Sequence, residues 1–159
     1  MAITDNEIKF SFLREYHLIM KDFDKLLAYI DPSEENLGTF SHRTFELLLR
    51  SCTAIEAIFK VLSRDLGYPS ENLDMRDYFR INNDSNLELS DYIVKLSSWR
   101  SGKKIVVPYE GWHDGQNYKK LPWYKAYNNV KHDRDQNFKE ANFENVINAT
   151  AGLFTLLYS

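Results

Sequence analysis

The chain has 159 residues, 43% of them hydrophobic and 27% charged, a balance that fits one globular domain and excludes a disordered segment. Net charge is −3, which makes the whole chain a poor generic polyanion binder, but the charge is uneven. Residues 1–94 carry 10 Lys and Arg against 17 Asp and Glu, residues 95–134 carry 9 against 3, and residues 135–159 carry 1 against 3. The basic surplus either forms a patch for an anionic ligand or offsets the acidic helices before it. Cys52 is the single cysteine, which rules out an internal disulfide and fits a reducing compartment. No stretch approaches the ~18 apolar residues of a membrane span. Met1-Ala2-Ile3-Thr4-Asp5-Asn6-Glu7 has neither the basic nor the apolar region of a signal peptide. A cytoplasmic protein off the membrane is expected.

Ile8, Phe12, Tyr16, Ile19, Phe23, Leu26 and Ile30 recur every three or four residues, the apolar stripe of a long helix. Asp5 or Asn6 can cap it, and Asp31-Pro32 stops it. After a polar loop, Phe45, Leu48, Cys52, Ile55, Phe59, Leu62 and Leu66 predict a second helix over 41–66 with a closely packed seam. Gly67 and Pro69 end it, and the two helices form an antiparallel hairpin.

Between 68 and 121 the periodicity fails. Asn82-Asn83-Asp84-Ser85-Asn86 reads as a turn, and Ser101-Gly102-Lys103 can join a small β-hairpin made of 92–96 and 105–107. Tyr109, Trp112 and Trp99 are expected to hold this insertion against helices. Pro122 then opens a third helix over 122–134. The final helix is expected from Asn137, with Glu140 completing a capping box. Its core face would be Phe143, Ile147, Thr150, Phe154 and Leu157. The fold class is mainly α: one domain over 1–159, an up-and-down four-helix bundle with an irregular insertion between helices two and three.

Chemistry concentrates in the third helix. At about 100° per residue, Trp123, Ala126, Tyr127, Val130 and the Arg134 stem share one side. Tyr124, Lys125, Asn128 and His132 share the other. Lys125, Asn128 and His132 align over two turns as a cation, an amide and an imidazole, groups suited to phosphate binding and proton transfer near neutral pH. Helix-end stabilisation by His132 is the structural alternative.

The run Trp123-Tyr124-x-Ala126-Tyr127-Asn128-x-Val130-Lys131-His132-x-Arg134, late in a helical bundle, resembles the HEPN superfamily signature. That signature is an Arg, often followed directly by Asn, then four to six intervening residues and a His. The resemblance implies a helical homodimer that acts on or binds RNA, with many members serving as metal-independent endoribonucleases in bacterial toxin–antitoxin or phage-defence systems. Other members bind nucleotides or partner proteins without catalysis. By position, His132 matches the motif His and Asn128 its Asn, while Tyr127 stands where the family places Arg. Lys125 would then supply the cation that stabilises phosphorane-like charge, with Asn128 positioning the phosphate and His132 moving the proton. Tyr124 would stack on a base, and Lys131 and Arg134 would add contacts. Glu56 would set the imidazole by reaching Lys125, Lys131 or His132, or else pair locally with Lys60. Arg43 and Arg50 are further phosphate candidates or plain helix surface. No cofactor is implied. His113-Asp114 is at most half of a metal site, because the four histidines lie far apart.

Overall fold

The computed structural model describes residues 3–113 and 115–159. It is mainly helical, with four principal helices, α1 (Asn6–Leu26), α2 (His42–Asp65), α4 (Pro122–His132) and α6 (Phe143–Tyr158). Shorter elements join them: α3 (Met75–Asp84), β1 (Val94–Leu96), β2 (Lys104–Val106) and α5 (Arg134–Asn137). α6 is the central element, packed on α2, α4 and α1. No described helix is long and apolar enough to cross a membrane.

α1 starts where Asp5 accepts hydrogen bonds from the Glu7 and Ile8 amides. Its stripe goes under cover along its length, from Ile8, 36% exposed, to the buried Ile19, Phe23 and Leu26. α2 begins at a reciprocal cap in which Thr44 N–H donates to Ser41 Oγ and Ser41 N–H to Thr44 Oγ1. It ends before Gly67, whose φ of +73° needs a residue without Cβ. The seam Leu48, Cys52, Ile55, Phe59 and Leu62 is buried.

The insertion holds a helix where the sequence suggested only turns. Asp74 caps α3, and Met75, Tyr78, Ile81 and Asn82 form its buried face. Asn82 and Asn83 therefore lie in a helical turn, a correction to the expected loop. The buried Asn82 amide donates to the Trp112 carbonyl at 3.2 Å, and its oxygen accepts from Leu89 N–H at 3.1 Å. The hairpin forms, with β2 starting one residue earlier than predicted and Val94 opposite Val106. Arg100 and Lys104 pair with Asp31 and Glu34, fastening the hairpin to the loop after α1. Tyr109 and Trp112 are fully buried. Tyr109 donates to the Gly152 carbonyl at 3.2 Å and Trp112 to the Lys119 carbonyl at 2.8 Å. The insertion is part of the core.

Two boundaries at the C-terminal end are corrected. The third helix stops at His132, because Asp133 (φ −144°, ψ 87°) leaves the helix and caps α5 through Gln136 N–H. The last helix starts at Phe143 and is capped by Asn142. Glu140 does not complete a cap with Asn137, but accepts from Asn129 Nδ2 at 2.9 Å.

Candidate functional site

α4 is set in place from below. Trp123 Nε1 donates to the Pro108 carbonyl at 2.8 Å, and its ring lies where a Cβ on Gly152 would sit 3.1 Å away. Ala126, Tyr127 and Val130 are buried beside it, as the helical spacing predicts. Tyr124 is not where that spacing put it. It is 4% exposed, with Tyr78 of α3 edge-on at 6.2 Å, and cannot stack on a base. The physical reason is that α3 packs against the flank of α4, widening its covered arc.

Tyr124 and Tyr127 converge instead on Glu56 of α2. The Tyr124 hydroxyl donates to Oε1 at 2.6 Å and the Tyr127 hydroxyl to Oε2 at 3.2 Å. Lys131 Nζ lies 3.7 Å from Oε1 and 5.1 Å from the Tyr127 ring centre. Burial, and then the hydrogen bond to Glu56, push the Tyr124 hydroxyl far above the usual tyrosine range. Burial raises Tyr127 as well. The Tyr127 hydroxyl, and then the Glu56 charge, hold the Lys131 ammonium above the usual lysine range. Both phenols thus stay protonated donors, and the Lys131 ammonium keeps its charge. Of the partners foreseen for Glu56, Lys131 is met. Among the described residues no hydrogen bond or ion pair joins Glu56 to Lys60, Lys125 or His132. Glu56 and Lys131 are engaged with each other.

The outer face of α4 is open. Lys125 and His132 are exposed and Asn128 is half-buried. Lys125 and Asn128 line a shallow groove of about 410 Å³ between α4 and the start of α3, together with Arg76, Tyr118 and Lys120. Asp74 is there too, but its carboxylate accepts the Arg76 and Asp77 amides as the cap of α3. Among the described residues Arg76, Lys120 and Lys125 have no ion-pair partner. His132 does not line this groove. Seven residues beyond Lys125, it stands roughly 10 Å further along the helix axis. The structure therefore joins two of the three aligned residues and leaves the imidazole at the far end.

The remaining candidates are occupied elsewhere. Arg134 lies over the Phe45 ring at 4.6 Å and the Phe138 ring at 5.4 Å, and donates to His42 Nδ1 at 2.8 Å. Its stem does not continue the α4 face, because the helix has already ended. Arg43 pairs with Glu46 and Arg50 with Asp22. Asp114, half of the weighed metal pair, lies outside the described residues; His113 Nδ1 lies 2.9 Å from Ser90 Oγ. Among the described residues no three His, Cys, Asp or Glu side chains are placed to share a metal ion. Arg76 was not singled out from the sequence, since nothing marked α3 as a neighbour of α4. Lys120 was visible within the basic surplus but had no assigned place. Comparison of the chain with family models, curated proteins and solved structures finds no match.

Proposed function

We propose that this chain is a HEPN-like protein that binds single-stranded RNA through the outer face of α4. One observation carries the reading: three cations without ion-pair partners among the described residues, Arg76, Lys120 and Lys125, surround one groove whose wall holds the Asn128 amide. A phosphate there gains point charges from the lysines, a planar fork from Arg76 and an N–H donor from Asn128. His132 meets the next nucleotide along the helix. By the family resemblance a second copy would bring its own α4 to this face and extend the cationic surface.

The resemblance also offers cleavage. His132 would take the proton from a 2′-OH or return one to the leaving oxygen, and Lys125 would stabilise the phosphorane without a metal. Binding without cleavage is favoured by Tyr127. It occupies the family's Arg position as a neutral hydroxyl, 2% exposed and bound to Glu56. The test is fluorescence anisotropy of a labelled 12-nucleotide RNA, followed by electrophoresis of the same RNA after incubation in EDTA. Binding of intact RNA that weakens at least fivefold in Lys125→Ala supports the proposal. Intact binding unaffected by Lys125→Ala and Lys120→Ala overturns it. Cleavage abolished by His132→Ala would establish the nuclease instead.

A further inference from the structure

β1 has one partner and one open edge. The sheet holds two strands, so alternate residues of β1 turn their N–H and C=O groups away from β2. Over residues 92–98 no backbone group finds a partner other than β2 among the described residues. A groove of about 540 Å³ runs beside that edge, between α1, β1 and α6. Residues 93–98 line it in unbroken succession, odd and even positions alike. Side chains of a strand alternate between faces, so a groove that meets Val94, Lys95 and Leu96 alike follows the edge of β1. The opposite wall is apolar: Tyr16, Met20 and Leu27 from α1 and its C-terminal cap, Ile147 and Phe154 from α6. Asp24 and Lys95 are the charged residues of the lining, one of each sign, so the groove carries no net charge.

We infer that this edge and groove bind an extended peptide segment of a partner protein, added to the sheet as a third strand beside β1. Unpaired strand groups are matched by another extended main chain, which identifies the occupant as a strand. The apolar wall selects a segment with apolar residues at alternate positions, and the neutral lining disfavours a highly charged one. The three residues of β1 offer about 10 Å of edge, enough to pair the short end of the range of strand lengths. The site shares no residue with the α4 groove, so it stands whether or not that groove binds RNA.

The test uses the full chain and an octapeptide alternating valine and serine, with its fully N-methylated copy as the control. The peptide is expected to slow amide exchange within 93–98 at least tenfold at saturation, and the N-methylated copy to bind at least tenfold more weakly. Met20→Arg, which projects a charge from the wall, is expected to weaken the peptide at least tenfold with helix content unchanged. Equal binding of the N-methylated copy overturns the inference, since side chains alone would then be recognised. Exchange over 93–98 that stays unchanged at millimolar peptide also overturns it. So does a dimer of the free protein in which these amides are already protected, because a second copy would then cover the edge.

Discussion

The Tyr124 hydroxyl and the Glu56 carboxylate meet at 2.6 Å across the junction of α4 and α2. Tyr127 takes the second carboxylate oxygen, and the Glu56 side chain is 26% exposed with Lys131 beside it. Two hydroxyl donors and a flanking ammonium around one carboxylate fix both the height and the rotation of α4. Removing the acceptor leaves two inward-facing hydroxyls and a lysine without a counter-charge. Glu56→Ala is expected to lower unfolding free energy by about 2–4 kcal/mol, and Tyr124→Phe by about 1–2 kcal/mol. Urea denaturation followed by circular dichroism measures both. A Glu56→Ala midpoint equal to the parent's would show that the cluster contributes no net stability.

The same cluster predicts alkaline sensitivity. Tyr124, Tyr127, Tyr78 and Tyr16 all have raised hydroxyl pKa values, chiefly from burial, and Tyr16 reaches about 12 from its ordinary 10.0. A group whose pKa is raised on folding adds stability that is complete below the unfolded value and is lost as pH climbs through the folded one. Lys131, also raised, acts in the same direction. Stability should therefore decline above pH 10, as the unfolded chain releases tyrosine protons that the folded chain retains. Tyr124→Phe should flatten that decline. A denaturation midpoint constant from pH 9 to pH 12 contradicts the assignment.

Gly152 makes the approach of α4 to α6 possible. A Cβ there would lie 3.1 and 3.2 Å from two carbons of the Trp123 ring. That ring cannot easily withdraw, because its N–H is bound to Pro108 and Tyr109 packs edge-on against it at 5.8 Å. Gly152→Ala gains helix propensity of about 1 kcal/mol, but overpacking costs about 1–3 kcal/mol. The expected net result is a loss, and Gly152→Val should lose more. Near-ultraviolet circular dichroism of the tryptophans, read beside the thermal midpoint, checks this. An alanine variant with a raised midpoint and unchanged tryptophan signal would show that the contact yields.

These contacts separate what the sequence encodes locally from what it does not. The α1 stripe and the α2 seam are legible because each helix is long enough to repeat its period over five or more turns, even though α2 packs on α1, α3, α4 and α6. Tyr124 is different. The wheel divides α4 into two halves, but α3 adds a further neighbour and covers Tyr124 from the side. α3 escaped notice for a related reason: ten residues with only Met75, Tyr78, Phe79 and Ile81 apolar give too short a period to stand out among Asp and Asn. Asp133 reads equally well inside a helix or as a cap. Only the packing of Phe138 against Phe40, Phe45 and His42 distinguishes the two. Lys125 and Asn128 could be aligned from spacing, whereas Arg76, 49 positions earlier in the numbering, joins them only through the fold.

The α4 groove makes a quantitative prediction about salt. If Arg76, Lys120 and Lys125 each neutralise one phosphate of single-stranded RNA, binding releases counterions. The plot of log affinity against log salt should then fall with a slope of about −0.7 per contact. The three together predict a slope near −2, and each single alanine variant should reduce its magnitude by about 0.7. Lys131→Ala is the internal control. Its ammonium is already paired with Glu56, so loss of RNA affinity should be small while stability falls. Anisotropy titrations at four salt concentrations separate these cases. A slope insensitive to Lys125→Ala, with one that changes in Lys131→Ala, would move the phosphate site from the outer face of α4 to the Glu56 side.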